Sequence, residues 1–135
     1  MPVRVRYKIT VSVSSTSAEE KDLGNAAFEI ISDDLGEGGS RKTTVAASTT
    51  DFPLDIGNIA DAKMIIIRTN AKDPTEDTYA IDLKKNGTGG EITTIQPLGT
   101  SKEGHLLMST TGVTALYATN SSSVDMEVTV FAAGD

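Results

Sequence analysis

Val3-Arg4-Val5-Arg6-Tyr7-Lys8-Ile9-Thr10-Val11-Ser12-Val13 places an apolar side chain at every odd position and a basic or hydroxyl side chain at every even one. A period of two over that length is the period of a half-buried β-strand, whose successive side chains point to opposite faces of a sheet. The same period returns near the other end, where Val124, Met126, Val128 and Val130 alternate with Asp125, Glu127 and Thr129. The two outward rows carry opposite charge, which suits an antiparallel pair bridged across the strands. Residues 3–13 and 124–131 are therefore expected to be neighbours, with Arg6 near Glu127 and Lys8 near Asp125, closing one β-domain over residues 1–135.

Between these ends, Met64-Ile65-Ile66-Ile67-Arg68-Thr69 is a continuous apolar run bounded by turn residues and reads as the most central strand, with a buried helix as the alternative that periodicity alone leaves open. Further strands are expected at 26–32, 41–48, 79–83, 92–96, 105–109 and 114–119. Asp33-Asp34-Leu35-Gly36-Glu37-Gly38-Gly39-Ser40 reads as a turn-rich loop, and Ser17, with Glu20 three residues on, as the capped start of one helical turn ending at Gly24-Asn25. Phe52-Pro53-Leu54-Asp55-Ile56-Gly57-Asn58 reads as a bend, because proline cannot sit in a central strand. Short strands at this spacing mark an all-β protein, a jelly-roll-like antiparallel sandwich of about eight strands. The 18 threonines and 12 serines fit such surface strands and their turns.

Composition narrows the chemistry. There is no cysteine, so disulfides and thiolate metal sites are excluded, and one histidine leaves little for zinc. A net charge of −7 argues against a nucleic-acid partner, which requires a basic stripe. No apolar run approaches a membrane span, and Arg4, Arg6 and Lys8 interrupt any secretory apolar stretch, so synthesis in the cytoplasm is expected.

His105 is the one candidate general base, with Ser101, Ser109 and Asp82 as conceivable triad partners. No G-x-S-x-G elbow is present to fix a nucleophile, and an edge histidine after a glycine is ordinarily a surface residue. The expectation is no enzyme, no cofactor and no metal. The acidic stretches Asp33–Gly39 and Asp73, Glu76, Asp77 lack the spacing of a calcium loop and read as solvated turns. Asn86-Gly87-Thr88-Gly89-Gly90 lacks the lysine of a phosphate loop and reads as a hairpin turn. A jelly roll can also be a cupin, for which the histidines are missing, or a sugar-binding module, for which aromatic platforms are thin. Tyr7, Tyr79 and Tyr117 all lie in strand patterns and are expected to pack in the core. Arg4, Arg6 and Lys8 are the candidate partner-contact residues should their row face an acidic partner instead of the last strand.

A family likeness runs through residues 54–131. Lys63-Met64-Ile65-Ile66-Ile67-Arg68 is followed by Tyr79-Ala80-Ile81-Asp82-Leu83, then by the turn Ile95-Gln96-Pro97-Leu98-Gly99. Next come Gly112-Val113-Thr114-Ala115-Leu116-Tyr117-Ala118-Thr119-Asn120 and the closing strand Val124–Phe131. This succession resembles the small β-sandwich structural proteins of tailed bacteriophages, some of which are capsid decoration, or cement, proteins. The resemblance implies a non-enzymatic virion protein on the capsid surface that binds the major capsid protein. It also implies a homo-oligomer, a trimer in preference to a dimer, and it supplies no catalytic residues. A tail or head–neck component and a carbohydrate-binding adhesion module are the alternatives.

Overall fold

The computed structural model describes residues 2–14, 22–72, 80–98 and 101–135. The helical turn read from Ser17 to Lys21, the cluster Asp73, Glu76 and Asp77, and Tyr79 lie outside these residues. Ten strands run through the described part: β1 (Val3–Ser14), β2 (Asp22–Leu35), β3 (Glu37–Val45), β4 (Thr49–Leu54), β5 (Ala62–Ala71), β6 (Ile81–Lys85), β7 (Ile92–Ile95), β8 (Glu103–Val113), β9 (Leu116–Asn120) and β10 (Met126–Gly134).

Eight of them form two antiparallel four-stranded sheets, in the orders β3-β10-β5-β8 and β4-β9-β6-β7. The pairings β3 with β10, β4 with β9, β5 with β8 and β6 with β7 are nested. The chain from Glu37 onward is thus one long antiparallel hairpin wrapped upon itself, which is the jelly-roll plan. Two further pairings, β10 with β5 and β9 with β6, join the wrapped halves. Val45, Ile65, Ile67, Ile81, Leu83, Leu116, Met126, Val128 and Val130 interleave between the sheets with almost no solvent contact.

The expected pairing of the first strand with the last is not the one found. β1 pairs with β2 in a two-stranded hairpin, and β10 is hydrogen-bonded on both sides by β3 and β5. A strand has only two edges, so none is left on β10 for β1. Arg6 meets Glu29 of β2 at 3.7 Å, and Glu127 is answered by Lys42 of β3 at 2.9 Å. The two ends do approach, but face to face. Val5 of β1 is buried against Ala133 of β10 and Met64 of β5, with Tyr7, Leu35, Ile66 and Phe131 around them.

The hairpin is therefore a third layer over the outer face of the β3-β10-β5-β8 sheet. This explains the unbroken run at 64–67. Ile65 and Ile67 point into the sandwich, while Met64 and Ile66 point out toward the hairpin. A strand covered on both faces loses its alternation.

Other boundaries moved for identifiable reasons. β2 continues through Gly24-Asn25, which pair with Val13 and Ser12, and through Asp33-Asp34, a register shift between the pairs Val5–Ser32 and Val3–Leu35, where a turn and a loop were expected. Only Gly36 separates β2 from β3. The expected bend at Phe52-Pro53 is the end of β4, an edge strand, where the missing proline N–H costs no ladder bond on the open side. Tyr117, expected in the core, lies half-buried on the outer face of its sheet, because Leu116, Ala118 and Asn120 take the inward positions of β9.

Because Val5 packs in a small cluster separate from the main core, Val5→Asp is expected to release the hairpin without unfolding the sandwich. In hydrogen exchange, β1 amides should lose protection while β5 and β10 keep theirs. Equal loss across all four strands would show one cooperative unit instead.

Candidate functional site

The outward row of β1 leaves Arg4, Arg6 and Lys8 exposed on the hairpin face turned away from the sheet. Lys8 stands opposite Glu29 in register, and the Arg6–Glu29 contact is solvent-exposed, so each such pair contributes only about 0.2–1 kcal/mol. Such exposed pairs add little to the stability of the fold.

Beneath the other face of β1, the cover over the sheet is incomplete. Tyr7, Lys8 and Ile9 form one wall of an open groove of about 500 Å³, and Ile66, Arg68, His105, Leu106 and Leu107 of β5 and β8 form the rest. Leu107 breaks the alternation of β8. Leu106 and Met108 pack toward the core, yet Leu107 stands on the outer face and is 37% exposed. Further along the hairpin's apolar face, Val11 is 47% exposed, so the stripe that begins at the buried Val5 runs out into solvent.

One rim of the groove is charged. Arg68 hydrogen-bonds Glu103, and His105 lies 3.8 Å from the same carboxylate. The bond from Arg68 holds the Glu103 carboxyl below its usual range, with a lesser contribution from His105, and the same bond raises Arg68. At the opposite end of β5, the Lys63 ammonium and the Gly112 amide both bond the Asp61 carboxylate and lower its pKa, while Lys63 is raised by Asp61.

The conceivable triad does not assemble. Ser109 is four residues from His105 on the same face of β8, a separation of about 13 Å along a strand. Ser101 turns back on its own loop, its hydroxyl accepting from the Glu103 amide at 3.1 Å. Asp82 projects from the outer face of the opposite sheet, where it accepts from the Thr94 hydroxyl at 2.6 Å, so the whole core lies between it and His105.

Among the described residues, no group of three or more acidic or histidine side chains is arranged to hold a metal ion. Asp33 and Asp34 lie at a register shift within β2 and Leu35 pairs with Val3, so this part of the expected loop is strand.

Asn86 is a turn residue, as expected, with a left-handed φ of 62°. Its amide also staples two turns together. It donates to the Gly112 carbonyl at 2.7 Å and accepts from the Thr114 amide at 2.7 Å.

The groove itself was not read from the sequence. Its one local signal is the doubled Leu106-Leu107 in an otherwise alternating strand. The chain matches no protein-family model and no curated protein.

Proposed function

We propose that this protein is a structural component of a tailed-bacteriophage virion, a capsid decoration protein that binds the major capsid shell as a homo-oligomer. The observation that carries the reading is the β1–β2 arm: a long hairpin outside the jelly roll whose first strand has a basic outward row and an apolar inward row, with that apolar row only partly covered. Such an arm is equipment for gripping a neighbouring protein. The likeness of residues 54–131 to phage structural proteins supports the same reading, and it spans most of the sandwich. Many copies on a shell multiply modest contacts, so each needs little area.

The test is sedimentation of intact shells with added protein across a salt series, comparing the parent with Arg4→Glu/Arg6→Glu/Lys8→Glu and with His105→Gln. Binding through apolar and backbone contacts is expected to survive moderate salt, where exposed charges are screened beyond about 8 Å. His105→Gln should bind as the parent does. A steep loss with salt, together with loss in the triple variant, would assign docking to the basic row. A protein that sediments with no shell removes the decoration reading and leaves the tail and adhesion alternatives.

A further inference from the structure

The two four-stranded sheets have four edge strands, and three are protected against pairing with another chain. β3 carries Glu37, Arg41 and Lys42. β4 carries Pro53, a left-handed Asp51 and an irregular register between Thr49 and Phe52. β7 is only four residues long. Charge, proline, bulges and shortness are the usual devices that keep an edge from accepting a further strand.

β8 has such devices only at its ends, Glu103 at one and a register shift between Ser109 and Val113 with the left-handed Gly112 at the other, and it pairs regularly with β5 from Gly104 to Ser109. From Gly104 to Val113 it holds no proline, no lysine, no arginine and no acid across ten residues, and among the described residues only β5 pairs with it. The exposed Leu107 and the open groove lie directly beside this edge.

The geometry points to β8 as a self-association edge, pairing antiparallel with β8 of a second copy so that two four-stranded sheets become one of eight strands. Charge selects the second copy. In a chain of net charge −7, Gly104–Ser109 is a strip without acid, lysine or arginine on which two copies can approach with no like charges meeting. An arrangement centred on Leu107 sets His105 opposite Ser109 along the regular stretch, so no like charges face each other across the seam.

The two Leu107 side chains then meet on the outer face, each beside the partner's groove. A strand that pairs with its own copy makes a two-fold, isologous contact, so the unit formed is a dimer. The inference is independent of the shell-binding reading, because it concerns the protein alone in solution.

The chain has no cysteine, so a single introduced thiol reports the seam cleanly. Opposed residues of an antiparallel pair have Cα atoms about 4.5–5.5 Å apart, within disulfide reach. In mild oxidant, Leu107→Cys is expected to form a disulfide-linked dimer, whereas Thr94→Cys on the far sheet should remain monomeric. Light scattering should give twice the 14.2 kDa chain mass for the parent and the single mass for Leu107→Lys. Leu107→Lys should melt as a folded protein, since this side chain is outside the core. A parent that is monomeric or trimeric overturns the proposal. So does a Leu107→Cys variant that crosslinks no faster than Thr94→Cys, or a Leu107→Lys variant that keeps the doubled mass.

Discussion

Asn120→Leu is expected to lower the unfolding free energy by about 3–5 kcal/mol, a large share of the stability of a domain this size. Asn120 is fully buried at one end of the sandwich and has every polar atom engaged. Its amide nitrogen donates to the carbonyls of Val45, Ala46 and Val124 at 3.0, 3.2 and 2.8 Å. Its amide oxygen accepts from the Ser122 amide and hydroxyl at 3.0 and 2.7 Å. One side chain thus ties the end of β3 and the β9–β10 loop to β9. Leucine is close in size, so the cost comes from carbonyls left without partners and not from a cavity.

Asn120→Asp separates this account from a packing effect. The carboxylate would face three carbonyl oxygens, so its pKa in the folded state must lie above its unfolded value of about 4. A group whose folded pKa is raised is tolerated while protonated, and the penalty grows as pH rises above the unfolded value. The Asn120→Asp variant should therefore recover part of its lost stability on acidification toward pH 4, and the Asn120→Leu variant should not. Chemical denaturation at several pH values reads the difference, and parallel pH profiles would sink the hydrogen-bond explanation.

Gly134→Ala should cost at least about 3 kcal/mol or prevent folding altogether. A Cβ on Gly134 would lie 2.1 Å from the carbonyl oxygen of Asp61 and 2.9 Å from Cα of Ala62, both backbone atoms that cannot swing aside. β10 and β5 cross closely here, at the register shift between Ala133 and Gly134. The Asp61 and Asp135 backbones bond each other reciprocally at 3.0 and 3.1 Å just beyond. Gly87→Ala is the matched control, since a Cβ there meets nothing within 4 Å. It should change the melting midpoint by no more than a few degrees, and a Gly134→Ala protein as stable as that control would show that the two strands can separate freely.

Alternation at 3–13 and 124–130 specified by itself that these segments are β-strands, and which of their side chains face a core. Those features follow from the two-residue period of an extended chain and from burial of apolar surface, both local properties of the sequence. The choice of neighbours was decided by tertiary structure. Backbone donors and acceptors are the same in every strand, so alternation and outward charge left β1 free to pair with β10 or with β2. The shorter loop closure of a local hairpin favours β2, and the wrapped jelly roll occupies both edges of β10. For the same reason nothing in the local sequence marks Asn120 as buried or Leu107 as exposed. Their burial and exposure exist only once distant segments, Val45–Ala46 for the one and the β1 arm for the other, have come together around them.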